Sequence, residues 1–403
     1  MPAPALLLRP LDSDGLRLAL DKHRRFLEGR SGGRRANLAY VDLTNRPLDG
    51  ADLRDADLTG ARLNGASLAG ANLAGAVLFG ADLRDTDLRN ANLAKADLRG
   101  ACLRGANLAH ADLSGCDLRE GRIALQDKTE GFRILQHEDR PGELTFAVLS
   151  GANLAGAHMH GLSAMAADFT DADLSGATLG GARLVKAVLD GANLTGADLA
   201  GADLSGASLK RAIMVRCDVS MSNIKGADLT GVLQAPAVAV YIDDQPLEKI
   251  LAAHEAFCDS AGRSGKVARL PETDFRSAGA LKGRKLSGLS APGSIFFGMN
   301  LQGIQLQGAD LTGCDLRGAN LRQADLRGCR LADALLTRAD LRGAKLGPLS
   351  IDDGRMVRTD LSRAILRGAD LTGASAPRAR FFDADLSGAK LSGANLKGAE
   401  LEA

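Results

Sequence analysis

An all-β solenoid is the fold class this sequence predicts, and three observations predict it. Leucine recurs at a strict spacing of five, as at Leu98, Leu103, Leu108, Leu113 and Leu118. Alanine stands two places before most of these leucines and glycine often two places after, as in "ADLTG" and "ANLAG". The 403 residues include no Trp, 2 Tyr and 48 Gly, so Leu and Ala must fill the core in place of aromatic rings.

Neither regular secondary structure has this period. On a helix a step of five residues turns ~500°, so the leucines would spiral around every face. In a flat strand an odd step sends successive leucines to opposite sides. A common core forms only if the backbone turns a corner once per unit and every leucine points to one axis. Glycine suits such a corner because it tolerates positive φ. Asp, Asn, Arg, Ser and Thr take the outward places. The chain is therefore a tube of five-residue sides whose backbone groups pair with the coils above and below, at ~4.8 Å spacing.

The rhythm forms three runs: 17 units from Leu38 to Leu118, 17 from Leu149 to Leu229, and 25 from Leu281 to Leu401. Weak members of the third run are Ala291, Ile351 and Ala376. Leu53, Leu58, Leu98, Leu103, Leu194, Leu199, Leu311 and Leu316 typify the predicted core.

With its long succession of A-(D/N)-L-x-x units over about three quarters of its length, the sequence resembles the pentapeptide-repeat family. The resemblance implies a right-handed quadrilateral parallel β-helix with four units per coil, so that residues 20 apart stack. Under that rule Asp52, Asn72, Asn92 and Asp112 share a column, in which amides separate most of the like charges. Arg338, Arg358 and Arg378 fall on one outward column and Arg322 lies above Arg342. With Asp340 and Asp360 flanking, ion-pair ladders are the expected use of these arginines, and an anion-binding stripe is the other.

Three segments leave the rhythm. Residues 1–35 hold an amphipathic stretch from an N-cap-like Ser13 to a terminating Gly29, read as an N-terminal capping strand and helix. Residues 232–270 repeat the theme: His23, Phe26 and Leu38 align with His254, Phe257 and Leu270, with one residue inserted, and Asp244 and Pro246 suit a helix start. The organisation expected is solenoid I at 36–231, interrupted by a loop at about 124–146, then a linker with a second capping helix at 232–270, then solenoid II at 271–403. A single continuous tube with the helix bulging from it is the other arrangement. The loop, with Phe132, Arg133, His137, Asp139 and Arg140, is the first candidate for partner contact, followed by Arg338, Arg358 and Arg378.

No catalytic constellation is present, and neither a cofactor nor a metal is expected. Asp is abundant but recurs at the place before Leu as part of the repeat and gains no local distinction, and the glycines follow the unit instead of a phosphate-binding spacing. His158 and His160 flank Met159 with no third ligand in sight, and read as an exposed polar pair. His23 and His254 read as packing or capping residues. Cys116, Cys217, Cys314 and Cys329 each replace the Ala of a unit, Cys102 takes the place before a Leu, and all read as small buried hydrophobes. Phe79, Phe297 and Phe382 fall on outward places.

The 50 basic and 49 acidic residues balance. Residues 36–120 carry 12 acidic and 9 basic residues, 147–231 carry 8 and 6, and 279–403 carry 13 and 18. Direct nucleic-acid binding is not expected from such a balance, nor is a membrane span, and the chain is read as cytoplasmic. The function expected is a non-enzymatic, rod-like scaffold for protein–protein interaction. The alternative implied by the resemblance is a DNA-mimicking modulator or protector of DNA gyrase. That reading is weakened by the near-neutral charge, because duplex mimicry needs about two negative charges per 3.4 Å. An open C-terminal coil around Leu391, Leu396 and Leu401 predicts a tail-to-tail homodimer.

Overall fold

The computed structural model describes residues 8–125, 136–140, 142–237, 239–351 and 354–401. The chain divides into two compact units, Met1–Ala235 and Pro236–Ala403. Each is a solenoid β-helix of parallel bridges between residues 20 apart, such as Asp52 to Asn72 to Asn92 to Asp112. Four five-residue sides thus complete a coil. The residue before each leucine exchanges both backbone bonds with the preceding coil: Asp57 N–H donates to Ala36 O at 3.0 Å and Leu38 N–H to Asp57 O at 2.7 Å. Each corner is closed between successive repeats, the alanine N–H of one donating to the leucine carbonyl of the one before, as where Ala56 N–H donates to Leu53 O at 3.1 Å.

The leucines fill the axis as the spacing predicts. Leu53, Leu58, Leu98, Leu103, Leu194 and Leu199 have no exposed surface, and Leu311 and Leu316 are 1% exposed. At roughly 1.5–3 kcal/mol per fully buried leucine, this column is the main stabilising term. Cys116, Cys314 and Cys329 are buried in alanine places, whereas Cys217 is half-buried near the last coil of unit 1. Burial pushes the Cys314 and Cys329 thiols up to about 12, so they remain protonated and inert.

Unit 1 opens with α1 (Ser13–Leu27), whose Leu16 joins the leucine core. Its N-cap is Asp12, not Ser13: the Asp12 carboxylate accepts from Gly15 N–H at 2.7 Å. One strand ladder then leaves the coil as an antiparallel hairpin, β1 (Gly121–Leu125) with β2 (Gln136–Arg140), pairing Gly121 with Arg140. Because of it Cys102 bridges Glu143, 41 residues on. The excursion starts and ends earlier than the 124–146 expected from sequence, for Leu144 is already fully buried in the resumed core. Phe132 and Arg133 lie outside the described residues, and the hairpin backbone carries His137, Asp139 and Arg140.

Unit 2 begins with a short hairpin, β3 (Tyr241–Ile242) and β4 (Gln245–Pro246), which runs into α2 (Leu247–Asp259). Pro246 occupies the N-cap place, and no side chain caps the helix start. Leu247 and Leu251 enter this unit's core. Phe275 and Phe296 stack within it at 4.3 Å between ring centroids.

The third leucine run is not continuous in space. The chain leaves the coil after Gly347, whose carbonyl still accepts from Gly328 N–H at 3.2 Å, and makes β5 (Leu349–Ser350) antiparallel to β6 (Met356–Val357) before it rejoins. Lys345 therefore bridges Ser375, 30 residues on. Ile351 and Met356, which keep the five-residue phase, are 42% and 50% exposed and belong to no core.

Candidate interaction surfaces

The outward places follow two local patterns set by the unit itself. In "DLR" units the carboxylate and the guanidinium two residues later project from the same side. Arg54 donates through Nε to Asp52 Oδ1 at 2.8 Å and through Nη2 to Oδ2 at 2.6 Å. The same two-pronged clip joins Asp82 to Arg84, Asp97 to Arg99, Asp117 to Arg119 and Asp325 to Arg327. In "DLT" units the hydroxyl takes that role, as where Thr59 Oγ1 donates to Asp57 Oδ1 at 2.7 Å. These donors hold several carboxyls, those of Asp52 and Asp228 among them, below the usual aspartate range.

Between coils, the predicted amide spacing is realised and extended. Asn153 donates to Asp112 at 3.0 Å and Asn193 to Asp173 at 3.1 Å, continuing the Asp52 column. In unit 2 a column of alternating sign runs Asp310, Arg330, Asp360, Arg380, Glu400. Within it Arg330 pairs with Asp310 at 2.8 Å and Arg380 with Glu400 at 3.6 Å.

The predicted arginine column loses one of its three members. The ten-residue excursion moves Arg338 above Arg367 and Gly368, while Arg358 keeps its place one coil above Arg378. Ten residues are half of a 20-residue coil, so Arg338 sits across the solenoid from the other two. For the same reason Asp340 bridges Asp370 instead of Asp360. Arg358 pairs with Glu400, and Arg378 is exposed.

Phe79 carries the Arg99 guanidinium over its ring at 5.4 Å, and Phe382 is 40% exposed. His158 and His160 are both exposed. Among the described residues no three His, Cys, Asp or Glu side chains are placed to hold a metal ion. Among them, too, no helix is long and apolar enough to cross a membrane.

The ends of the units differ from their middles. At Ala36 and Ala268 there is no preceding repeat to close the corner, and an imidazole takes the place of the missing carbonyl. Ala36 N–H donates to His23 Nδ1 at 3.1 Å, and Ala268 N–H to His254 Nδ1 at 2.9 Å. Phe26 and Phe257 stack beside these rings at 6.0 and 6.4 Å. Other first-coil edge groups are met as well: Asn37 O accepts from Arg9, Lys285 N–H donates to Glu255, and Pro47 presents no N–H. At the far end of unit 1, Val219, Ile224 and Leu229 stand 42%, 48% and 40% exposed. No signal in the spacing distinguishes these three leucine-place residues from buried ones.

The Pentapeptide repeats family profile matches residues 36–73, 48–85, 71–108, 81–120, 143–181, 167–206, 192–231, 314–347, 355–381 and 379–402. No curated protein matches the chain. Among solved structures, HetL, a pentapeptide repeat protein involved in heterocyst differentiation regulation from the cyanobacterium Nostoc sp. strain PCC 7120, is 25% identical. That alignment covers 79% of this chain and 88% of HetL, with a TM-score of 0.18. The pentapeptide repeat protein Rfr23 from the cyanobacterium Cyanothece 51142 is 27% identical over 34% of this chain and 91% of its own, with a TM-score of 0.25. Full-length QnrB1, a plasmid-mediated fluoroquinolone resistance protein, is 18% identical over 48% of this chain and 91% of its own, with a TM-score of 0.22. The profile matches more than half of the chain, with repeats in both units: the chain belongs to the pentapeptide-repeat family.

Proposed function

We propose that this chain is a non-enzymatic scaffold for protein–protein interaction, built from two right-handed quadrilateral solenoids, 36–231 and 271–403. The N-terminal segment 1–35 and the segment 232–270 close their first coils through α1 and α2. The observation that carries the reading is the clipping of outward carboxylates by the Arg, Thr or Ser two residues on. Side chains satisfied inside their own unit leave flat faces of low net charge, suited to shape recognition instead of electrostatic capture. A duplex mimic needs the opposite, a dense stripe of free negative charge. Specific contact falls to what departs from the repeat: the excursion at Gly121–Arg140, with Phe132, Arg133, His137, Asp139 and Arg140, and the arginines Arg338, Arg358 and Arg378.

The test is a supercoiling assay with purified DNA gyrase, with and without a quinolone, using the chain and a version joining Glu120 to Gly142. The scaffold reading expects no change at micromolar protein. Inhibition or protection that disappears with the excursion would replace it with gyrase modulation. The exposure of Leu391 and Leu401, at 37% and 49%, supports a tail-to-tail homodimer. A monomeric mass at tens of micromolar, by sedimentation, overturns that part.

A further inference from the structure

We propose that His23 and His254 are acid-released latches: each holds its helix on the first coil only while its imidazole is neutral. The inference rests on the capping reading above and goes beyond it to a regulatory device.

Both rings are fully buried. In each, Nδ1 is the acceptor for a buried backbone N–H, at 3.1 Å for His23 and 2.9 Å for His254. A nitrogen that accepts carries no proton, so the ring is neutral and its single proton is on Nε2. Neither Nε2 meets a hydrogen-bond partner. Protonating Nδ1 would set an N–H against an N–H, leave the Ala36 or Ala268 amide unmatched, and bury a positive charge. The cation is stable only after the helix lifts and both groups reach water. The same geometry occurs in both units, at residues the sequence aligns.

The charged groups around each ring do not remove the effect. Burial dominates and holds both imidazoles below the usual histidine value. Around His23, Asp52 and Asp55 favour the cation and Arg35 opposes it, with the Arg54 backbone nearby. Around His254, Glu255 favours the cation, as do the backbones of Leu286 and Ser287. Asp52 and Glu255 are themselves held below the ordinary carboxylate range by Arg54 and Arg284, so they stay charged while the imidazoles titrate. Burial pushes the neighbouring Cys258 thiol up, and it stays neutral throughout.

The sign follows from the lowered value. The lifted state binds a proton near pH 6.5 and the seated state only at lower pH, so opening is constant above about pH 7 and rises as pH falls. The limit is about tenfold per pH unit, or about 30-fold between pH 7.5 and 5.

Hydrogen exchange on the full chain, normalised for the intrinsic pH dependence of amide exchange, tests this in segments 13–36 and 247–268. Segment 53–73, whose corners close on backbone carbonyls, is the reference. The expected result is protection at pH 7.5 in both helices, falling up to about 30-fold by pH 5 while the reference holds. In His23→Asn the amide oxygen can accept from Ala36 N–H and does not titrate, so α1 should lose its pH dependence while α2 keeps it. A wild-type profile flat from pH 7.5 to 5, relative to the reference, overturns the latch and leaves the caps standing. Helices unprotected at pH 7.5 overturn the caps as well. If His23→Asn fails to seat α1, the wild-type profile still decides.

Discussion

The two units begin alike and are interrupted differently. Unit 1 lengthens one coil from 20 residues to 41 with the β1–β2 hairpin; unit 2 lengthens one to 30 with β5–β6. In both, the coil closes as though nothing had been inserted: Leu103 N–H donates to Glu143 O at 2.8 Å and Leu346 N–H to Ser375 O at 2.6 Å. The difference teaches what the core registers. It registers which residue re-enters at the corner, and it is indifferent to how many residues were spent outside. Loop-closure cost grows only slowly with length, so a rigid tube can carry excursions of quite different size.

The sharpest way to break this picture is to ask whether a core leucine is equivalent wherever it sits. Leu103, beside the unit 1 excursion, is fully buried, whereas Leu229 in that unit's last described coil is 40% exposed. Leu103→Ala should cost about 3–4 kcal/mol by urea denaturation followed by far-UV circular dichroism, the range for a well-packed leucine. Leu229→Ala should cost less than about 1 kcal/mol. Equal costs would mean that the last coil is covered in solution.

The same contrast explains how much of the molecule could be read beforehand. The five-residue spacing sufficed for the axis, because a corner-turning tube is the geometry that gives Leu53 and Leu58 one core. The first excursion announced itself because its length is not a multiple of five: Leu149 falls out of phase with Leu118. The second was silent, since ten residues are two whole repeats, and Ile351 and Met356 stand where core residues would. That silence misplaced Arg338 by half a coil. Asp12 lost the N-cap to Ser13 in the sequence reading because the two are adjacent and both suit the role. The carboxylate–guanidinium clips were visible all along as "DLR", a local signal that stacking columns obscured.

A smaller effect sharpens the comparison at the corners. Gly70 and Gly75 both have positive φ, 65° and 66°. A β-carbon at Gly70 would meet nothing within 4 Å, but at Gly75 it would lie 2.5 Å from the Asp55 carboxylate of the coil above. Gly70→Ala should therefore cost about 1–2 kcal/mol, the strain of a left-handed residue. Gly75→Ala should cost more, and the excess should vanish when Asp55 is also changed to Gly. An excess that survives the double change would show that the corner itself, and not the stacked side chain, demands glycine.

The smallest effect concerns the clips, and it separates two pH windows. Burial pushes the Asp82 carboxyl up, but the Arg84 guanidinium and backbone N–H outweigh it and hold the group below the usual aspartate range. Such a group adds stability above the ordinary aspartate pKa and loses it as pH falls through the lower folded value. With the Arg84 side chain 52% exposed, solvent screens most of the attraction, so Asp82→Asn should cost less than about 1 kcal/mol at pH 7. The gap between wild type and Asp82→Asn in urea midpoint should close as pH falls below the ordinary aspartate range. It should not change between pH 7.5 and 5, where release of α1 and α2 is expected to grow. A gap that closes between pH 7.5 and 5 would mean that the faces and the first coil respond to one shared event, and the independence of local clips from end closure would be lost.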